Sequence, residues 1–462
     1  MNRDMAGNWQ EYRIGDIAEI VGGSTPLTAD PTNFNGDIPW LTPKDLSGQH
    51  ERYISSGERN LSKKGLSSCS AQLLPAGSIL LSTRAPIGYV AIARNPIATN
   101  QGFRSLILRP GFEPEFVYYW LKANIDELER HSSGSTFREL SGSALAQIAI
   151  QIPDKATQRA IAHILGTLDD KIELNWRMNE TLEAIARATF KSWFVDFDPV
   201  IDNALRAENP IPSSLAEKAA RRREMLARAK AEGRDSCFPK HIADLFPDRF
   251  VDPEFGPIPA GWRVVSLPDV IDINPPRVLK KGKVAPYVDM ANMPTRCHIP
   301  DTVIERPFGS GMRFINGDTL VARITPCLEN GKTAYVDFLA DGQVGWGSTE
   351  YIVIRPKPPL PSEFGYCLAR STEFREFAIQ SMSGTSGRQR VPPNALSRYH
   401  LAVPSEPISM RFGKIVQPLF TKAGQVARES HTLTALRDAL LPKLIYGELK
   451  LNNLKQFIKK DV

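Results

Sequence analysis

Two short stretches of this 462-residue chain resemble catalytic motifs, and each lacks a feature that its chemistry requires. Residues 331–333, Gly-Lys-Thr, resemble the end of a phosphate-binding loop, but the glycine required five positions earlier is Pro326. Residues 274–277, Asn-Pro-Pro-Arg, resemble a motif whose fourth residue is an aromatic that stacks on a flipped DNA base. Arginine occupies that position here, and no glycine-rich cofactor loop follows a strand pattern nearby. The sequence therefore favours a proline-rich turn over a methyltransferase site.

A third stretch has the carboxylates and the lysine of a metal-dependent nuclease, namely Asp154 with residues 169–171, Asp-Asp-Lys. Such a site needs its carboxylates fixed together around a divalent cation. Asp169 and Lys171 occupy non-facing positions of a predicted helix, more than about three turns from Asp154. The seven histidines and five cysteines are dispersed, so we expect no metal site and reduced thiols.

The remaining polar residues in predicted loops suit nucleic-acid binding. Arg and Lys contact guanine or phosphate, and Asn and Gln pair with adenine. Any one of these residues could instead cap a turn or face solvent. Contacts are expected first around Lys44, Arg84, residues 100–101 and Arg138, and around Arg323, residues 348–349 and Arg388 in the second half. The full set of candidates is Thr42, Lys44, Arg52, Arg84, Asn100, Gln101, Arg104, Ser135, Thr136, Arg138, Arg296, Arg323, Thr325, Ser348, Thr349, Arg388, Gln389 and Arg390.

Charge and composition are compatible with that chemistry without requiring it. The net charge of +6 and the pI near 8.9 fit either ordinary surface variation or a polyanionic partner. The chain is 42% hydrophobic and 23% charged, which is typical of a soluble globular protein. No apolar run approaches the roughly 20 residues of a membrane span, and the first residues lack the apolar core of a secretory signal. We expect a cytoplasmic protein that does not contact a membrane.

Two long helical patterns must position these loops, one at residues 154–194 and one at 406–446. Their apolar residues recur in steps of three and four, and the first pattern alone would form a rod of roughly 55 Å. Asn175 and Asn179 lie among the apolar positions, where they either fix the pairing register or face solvent. The positions predicted to bind a partner are Ile161, Leu165, Leu168, Ile172, Leu182, Phe412, Val416, Leu419, Leu436 and Leu440.

The second half of the chain repeats the first. Residues 9–153 read as short strands at 17–23, 78–84, 88–93, 103–110 and 145–153, with a helix after Glu113. Residues 9–20, 39–46, 76–93 and 132–153 match 262–273, 286–293, 316–336 and 382–404 in order, which indicates a duplication. A helix at 216–233, either solvated or in contact with phosphate, lies in the connector. The predicted boundaries are 1–153, 154–195, 196–260, 261–404 and 405–462.

The pattern resembles the specificity subunit of type I restriction-modification systems. Residues 76–92, with Ser-Thr-Arg-Ala-Pro-Ile-Gly, and residues 158–199, with Ile-Leu-Gly-Thr-Leu-Asp-Asp-Lys-Ile, carry the most specific similarity. The second half departs more, since Ala-Arg-Ile-Thr-Pro replaces Ser-Thr-Arg-Ala-Pro. Further similar stretches are residues 15–26, 38–46, 100–103, 132–153, 256–267 and 436–451.

The resemblance implies an α+β fold in which two mixed α/β target recognition domains are separated by two long antiparallel helices. These helices would form an intramolecular, coiled-coil-like spacer. Each domain would read one half of a split double-stranded DNA target. One copy of the chain would recruit two modification (methyltransferase) subunits and restriction (motor-nuclease) subunits. The chain itself would be neither an enzyme nor a cofactor-binding protein, since S-adenosylmethionine, ATP and Mg would be held by the partners.

Three alternatives remain open from the sequence. The chain could serve a modification-only or related phage-defence methyltransferase complex. It could be a self-contained methyltransferase or nuclease, which tight binding of S-adenosylmethionine to the isolated chain would indicate. It could also be a scaffold that does not read DNA, which would give an assembled complex without salt-dependent DNA affinity.

Overall fold

A computed structural model describes residues 9–48, 51–134, 138–233, 237–252, 256–385 and 387–449. The chain forms two compact units, which we call the first unit (Met1–Asn175 with Glu429–Val462) and the second unit (Trp176–Arg428). The division falls inside both long helices, so each unit contains a part of each helix.

The first unit is a mixed α/β domain whose elements follow in short succession. Its strands are β1 Gln10–Arg13, β2 Ala18–Gly22, β3 Phe34–Leu41, β4 Tyr53–Ile54, β5 Arg59–Leu61, β6 Ile79–Thr83, β7 Ile87–Ala93, β8 Ala98–Thr99, β9 Phe103–Leu108 and β10 Ala149–Ile152. Its shorter helices are α1 Ile14–Ile17, α2 Lys63–Ser67, α3 Pro114–Ala123, α4 Ile125–Arg130 and α5 Gly142–Gln147. Strand β6 is buried throughout and lies at the centre of the sheet β2-β9-β6-β7-β4. Ile79 and Leu81 pack in one apolar cluster and Leu80 in another, so both faces of the strand are covered.

Two sequence-based boundaries in this unit are wrong. The strand expected from residue 145 begins only at Ala149, because Ser141 Oγ accepts a hydrogen bond from the amide of Ala144 and starts α5 instead. The helix expected after Glu113 is interrupted at Asn124, which separates α3 from α4.

Helix α6, Lys155–Phe194, confirms the first long helical pattern and contains 40 residues. Asp154 begins it, because its carboxylate accepts hydrogen bonds from the amide and the hydroxyl of Thr157, which lower the pKa of Asp154. Gly166 leaves room for a long side chain to cross the helix, since a Cβ at this position would lie 2.8 Å from Nη1 of Arg52. Phe197, with a left-handed φ of 57°, lies in the turn that follows.

The connector after α6 is folded and belongs to the second unit. It contains α7 Asp198–Arg206, α8 Ala216–Ala231, α9 Lys240–Ala243, β11 Phe250–Val251 and β12 Ile258–Pro259. Helix α8 corresponds to the predicted helix at 216–233, but it is not solvated on all sides. Arg222 is buried and donates from Nε to Oδ1 of Asp202 at 2.6 Å, whereas Arg221 and Arg223 on the same helix are exposed.

The remainder of the second unit repeats the architecture of the first. Its strands are β13 Arg263–Ser266, β14 Ile271–Ile273, β15 Val284–Val288, β16 Ile304–Pro307, β17 Met312–Phe314, β18 Thr319–Ala322, β19 Thr333–Tyr335, β20 Gly345–Gly347, β21 Tyr351–Pro356 and β22 His400–Val403. Its helices are α10 Leu267–Val270, α11 Ser362–Ala369 and α12 Thr372–Gln380. The chain then continues into the second long helix, α13 Glu406–Ile445, whose residues from Glu429 onward belong to the first unit.

Sheet topology confirms the duplication. The order β14-β21-β18-β19 in the second unit repeats β2-β9-β6-β7 in the first, and β16-β15-β20 repeats β5-β3-β8. In each unit the first strand pairs antiparallel with the strand that precedes a long helix, β1 with β10 and β13 with β22. Two copies of one domain plan therefore each lead into a 40-residue helix.

The long helices pack against each other, and the first unit shows that they are antiparallel. Asp169 of α6 accepts a hydrogen bond from Arg437 of α13 at 2.7 Å, and Asn175 donates to Glu429 at 3.0 Å. Moving forward along α6 therefore means moving backward along α13. In the second unit, Phe194 of α6 packs edge-to-face on Phe412 of α13, with ring centroids 4.9 Å apart.

A buried polar network joins α3, α6 and α13 in the first unit. Tyr119 of α3 donates to Asp169 at 2.6 Å and accepts from Arg52 at 3.0 Å. Arg52 also donates to Asp170 at 2.9 Å, and Arg437 donates to Asp169. The carboxylates that resembled a nuclease motif thus hold the helices on the domain.

The apolar helix positions predicted to bind a partner require a correction. Ile161, Leu165, Ile172, Phe412 and Val416 are buried among the residues of their own unit. They are therefore not available at the surface, because the antiparallel pairing and the domain cores cover them. Leu168, Leu182, Leu419 and Leu440 are half-buried, and Leu436 is exposed.

The two asparagines face the interior, so the expectation that they could face solvent is wrong, and their role in the pairing register stays a prediction. Asn175 is fully buried and Asn179 is 7% exposed, and Oδ1 of each lacks a hydrogen-bond partner among the described residues.

Among the residues that the structure describes, no helix combines the length and the apolar character needed to cross a membrane.

Candidate nucleic-acid interface

Backbone hydrogen bonds in the first unit join three loops at the carboxyl end of β6. The amide of Thr83 donates to the carbonyl of Gly102 at 2.8 Å, and the amide of Leu140 donates to the carbonyl of Thr83 at 3.0 Å. Glu139 and Ser133 exchange two further bonds of 3.1 and 2.9 Å. We call this arrangement, and its counterpart in the second unit, the loop junction.

The second unit builds the same junction at the end of β18. The amide of Arg323 donates to the carbonyl of Glu350 at 3.0 Å, and the amide of Val391 donates to the carbonyl of Arg323 at 2.8 Å. Arg390 and Ser383 exchange two bonds of 2.9 Å. The backbone therefore places Arg323, Glu350 and Arg390 at the positions that Thr83, Gly102 and Glu139 occupy in the first unit.

Side chains at the first junction form an open ionic cluster. Arg104 Nη2 lies 3.3 Å from Oε1 of Glu139, and Arg84 Nη1 lies 3.9 Å from Oε2. Arg104 is further held by the carbonyl of Phe103, which accepts from Nη1 at 3.0 Å. The side chains of Arg84 and Glu139 are 38% and 39% exposed, so both remain accessible to a ligand.

Side chains at the second junction form a tighter cluster. Arg390 donates from Nε and Nη2 to the carboxylate of Glu350 at 2.8–3.0 Å, and Arg323 donates from Nε at 3.1 Å. The hydrogen bonds from Arg390 and then from Arg323 lower the pKa of Glu350, although partial burial opposes the shift. Both clusters contain two arginines and one glutamate and carry a net charge of +1.

Further predicted residues surround each junction. The amide of Thr325 donates to the carbonyl of Gln389, and the amide of Gln389 returns a bond to Thr325 Oγ1, both at 3.1 Å. Ser348 Oγ accepts from the amide of Glu350 at 3.1 Å. In the first unit, Gln101 is exposed and hydrogen-bonds to Thr25.

Arg52 does not lie where a DNA contact was expected. It is 8% exposed, and its guanidinium is committed to Tyr119 and Asp170. The prediction is corrected because Arg52 connects the domain to α6 and does not reach the surface.

The other predicted residues of the first unit have mixed positions. Thr42 donates to Asp45 at 2.7 Å, and Lys44 is 80% exposed and pairs with Glu58 at 2.9 Å. The amide of Asn100 donates to the carbonyl of Leu41 at 2.8 Å, which places the loop of Lys44 beside that of Gln101. Arg138 is exposed, whereas Ser135 and Thr136 lie outside the described residues.

In the second unit, Thr349 and Arg388 are exposed near the loop junction. Arg296 is 83% exposed, and its Nη1 lies 3.9 Å from Oε1 of Glu180 on α6. No contact in the described structure joins it to Glu350.

Sequence reasoning missed Glu139 and Glu350, because it searched for residues that bind phosphate or bases and passed over acids. Glu350 lies in the stretch Gly-Trp-Gly-Ser-Thr-Glu-Tyr, residues 345–351, which replaces Asn-Gln-Gly-Phe of the first half. A charge change at corresponding loops of the two halves was the only available signal.

The stretches that resembled catalytic motifs make structural contacts. Lys332 donates to the carbonyl of Met290 at 2.6 Å, and Asn274 Oδ1 accepts from the amide of Val353 at 2.9 Å. Arg277 donates to Asp318 at 3.2 Å. Among the described residues, no three His, Cys, Asp or Glu side chains converge in a way that could hold a metal ion.

Comparison with known proteins shows which family has this architecture. A type I restriction enzyme specificity subunit from Methanocaldococcus jannaschii, MjaIX, is 33% identical over 467 residues, which cover 97% of this chain and 95% of the relative. The chain belongs to the specificity subunits of type I restriction enzymes. A family model described as the type I restriction modification DNA specificity domain matches residues 6–184 of this specificity subunit.

Two further similarities extend over nearly the whole subunit. The HindI specificity subunit of Haemophilus influenzae is 25% identical over 96% of this chain and 100% of its own length. The solved S subunit of M. genitalium has a TM-score of 0.54 at 17% identity and covers 96% of this chain and 98% of its own, so it supports the fold alone.

Proposed function

We propose that this specificity subunit reads a split double-stranded DNA sequence, one half with each unit, and performs no catalysis of its own. The observation that carries the proposal is the pair of loop junctions. Each has the same backbone hydrogen bonds, and each presents different polar side chains at equivalent positions. Two domains that recognise different DNA half-sites need a common backbone arrangement that carries different side chains.

The exposed groups at the junctions suit base edges and phosphates. Arginine can donate two hydrogen bonds to O6 and N7 of guanine, and glutamine can pair with adenine. Arg84 and Gln101 supply these groups in the first unit, and Arg323 and Arg388 in the second. Phosphate contacts from residues such as Lys44 would set the position on the duplex without specifying a sequence.

We further propose that two modification subunits and the restriction subunits assemble on one copy of this chain. They would supply S-adenosylmethionine, ATP and Mg together with the chemistry. Exposed apolar side chains on the long helices are candidate docking positions. These are Leu174 and Ile185 of α6 and Met410 and Leu436 of α13, each 46–54% exposed. We expect the chain alone to bind DNA weakly, because partner subunits would drive base flipping and bending.

A domain exchange tests the proposal. Residues 9–153 are replaced by the corresponding domain of another specificity subunit, and the chain is assembled with its modification subunits. Methylated positions on random DNA are then mapped by sequencing. We expect one half of the recognised word to change and the other half to persist. Methylation that keeps the same complete word after the exchange would refute the proposal.

Single arginine substitutions test the assignment of the reading residues. Arg84→Ala and Arg323→Ala should each relax specificity at one base pair, in different halves of the word, by roughly 1–3 kcal/mol. A substitution at a phosphate contact would instead weaken binding to all sequences alike and reduce its salt dependence. If methylation of every site is unchanged by Arg323→Ala, the assignment of Arg323 is wrong.

A further inference from the structure

An acidic residue lies at the centre of each loop junction, where phosphate binding alone would disfavour it. Glu139 and Glu350 have side chains that are 39% and 22% exposed, and each lies between two arginines. A carboxylate repels phosphate and lowers the charge of the cluster from +2 to +1. A surface that served only to attract DNA would be stronger without these residues.

The geometry at Glu350 shows what the acid does to its neighbours. Arg390 donates to it from Nε and Nη2, and Arg323 donates from Nε. The two-pronged contact fixes the plane of the Arg390 guanidinium, and the single bond holds Nε of Arg323 on the carboxylate. Among the described residues no hydrogen bond occupies Nη1 of Arg390 or the two terminal nitrogens of Arg323, so those donors remain available. A planar fork held in one orientation is what two hydrogen bonds to guanine require.

The first unit reaches the same composition by a different placement. Its acid, Glu139, stands at the position of Arg390, and the position of Glu350 is Gly102. A Cβ at Gly102 would lie 2.7 Å from Pro43 Cγ and 2.9 Å from Asn100 Oδ1, so no larger side chain fits there. Two different placements that both yield one glutamate between two arginines indicate a shared requirement of the two junctions.

We infer that Glu139 and Glu350 are positioning residues that determine specificity, each by orienting its arginine pair for base reading and reducing the attraction of that pair for phosphate. The inference rests on the proposed DNA-reading function. The distances at Glu350, 2.8–3.1 Å, orient both arginines before DNA arrives. The distances at Glu139, 3.3 and 3.9 Å, leave Arg84 free to adjust on the base.

The test uses the full chain assembled with its modification subunits and a random DNA library. The variants are Glu350→Gln and Glu139→Gln. Their matched controls are Glu373→Gln on α12 and Glu129→Gln on α4, exposed acids whose side chains make no contact with the junction residues in the described structure. We expect each junction variant to lose about tenfold in discrimination at one base pair, within one half of the word only. Because a carboxylate is removed, the slope of the logarithm of the DNA-binding constant against the logarithm of the salt concentration should steepen by about one unit. The controls should keep the wild-type discrimination.

A second variant separates orientation from charge and from folding. Arg390→Lys keeps the positive charge but cannot make the two-pronged contact with Glu350. It should lose discrimination at the same base pair as Glu350→Gln without a steeper salt slope. Thermal unfolding of each variant accompanies the mapping, and the unaffected half of the word reports an intact complex.

The inference is overturned if Glu350→Gln and Arg390→Lys keep wild-type discrimination, or if both weaken methylation of all sequences equally. If the wild-type complex itself selects no sequence, the proposed function has failed, and that result is distinct from loss of selectivity in a variant. If Glu350→Gln changes the half of the word that Glu139→Gln changes, the assignment of one junction to each half is also overturned.

Discussion

Replacing Asp169 by alanine should loosen the first unit and leave the second unit unchanged. Asp169 accepts one hydrogen bond from Tyr119 at 2.6 Å and one from Arg437 at 2.7 Å. Tyr119 is fully buried, and burial, followed by the charge of Asp169, raises its pKa strongly, so its hydroxyl stays protonated and needs an acceptor.

The expected cost follows from the groups that lose their partner. An unpaired buried hydroxyl costs about 1–3 kcal/mol. An unpaired buried arginine can bring the total to about 3–5 kcal/mol. Arg437 is 18% exposed and keeps a contact of 2.8 Å with Asp438. We therefore expect the low end for Asp169→Ala, about 3 kcal/mol.

Hydrogen exchange resolved by unit measures this effect, since one unfolding free energy is not defined for a chain of two units. A loss of about 3 kcal/mol corresponds to exchange roughly 150-fold faster for the slowest amides of α3. Glu129→Ala, an exposed acid on α4, is the control and should change exchange little. Amides of α11 in the second unit should keep their rates.

A double-mutant cycle tests the physical reason. Arg437→Met removes the charge but keeps an apolar stem, so Asp169→Ala with Arg437→Met should cost less than the sum of the two single changes by about 2 kcal/mol. Exchange in the first unit that changes by less than about fivefold in Asp169→Ala would refute the reasoning. So would single effects that add in the double variant, because the pair would then be unimportant.

Three further predictions concern pH, helix pairing and helix length. The Arg390 hydrogen bonds hold the pKa of Glu350 below its usual value of 4.5. The ionised Glu350 carboxylate therefore stabilises the fold above pH 4.5, and this contribution is lost as the pH falls through the lowered pKa. Unfolding midpoints of wild type and Glu350→Gln should differ at pH 7 and converge in acid, and a difference that stays constant with pH would contradict this. Asn175→Leu removes a buried Oδ1 without a partner and also the bond to Glu429, which keeps its contact with Lys171 at 3.4 Å. The substitution should therefore stabilise the helix pair by about 1 kcal/mol and slow hydrogen exchange in α6, whereas faster exchange would show that the asparagine is needed for register. Inserting four residues into both α6 and α13 lengthens each helix by about 6 Å. Mapped methylation should then show an altered gap between the two DNA words and unchanged words. An unchanged gap would exclude the helices as the determinant of the gap length.

Apolar periodicity was sufficient to predict the long helices, and stretches that match in order were sufficient to predict the duplication. The apolar steps of α6 and the cap at Asp154 depend on residues within one or two turns, so they can be read locally. The repeat of strand order was visible because equivalent stretches follow in the same order. Arg84, Arg104 and Arg323 were singled out from the sequence as loop residues that suit DNA binding, and their DNA contacts stay predictions. That they lie against Glu139 and Glu350 was not predicted.

Tertiary structure alone decided which charged residues are accessible. Arg52 looks like any loop arginine in the sequence, and it is buried because Tyr119 and Asp170, 67 and 118 residues away, supply its partners. Ile161 and Phe412 look like docking positions for another chain, and they are buried because each contributes to the core of its own unit.

The same limit applies to the glutamates of the loop junctions. Glu139 is brought to Arg84 and Arg104 by backbone bonds between three separate loops, and Glu350 is brought to Arg390 in the same way. The sequence thus determined the elements and the kinds of residue available, because these follow from local periodicity and chemical type. Only the folded chain determined which of those residues meet, because their contacts depend on the register between distant strands and loops.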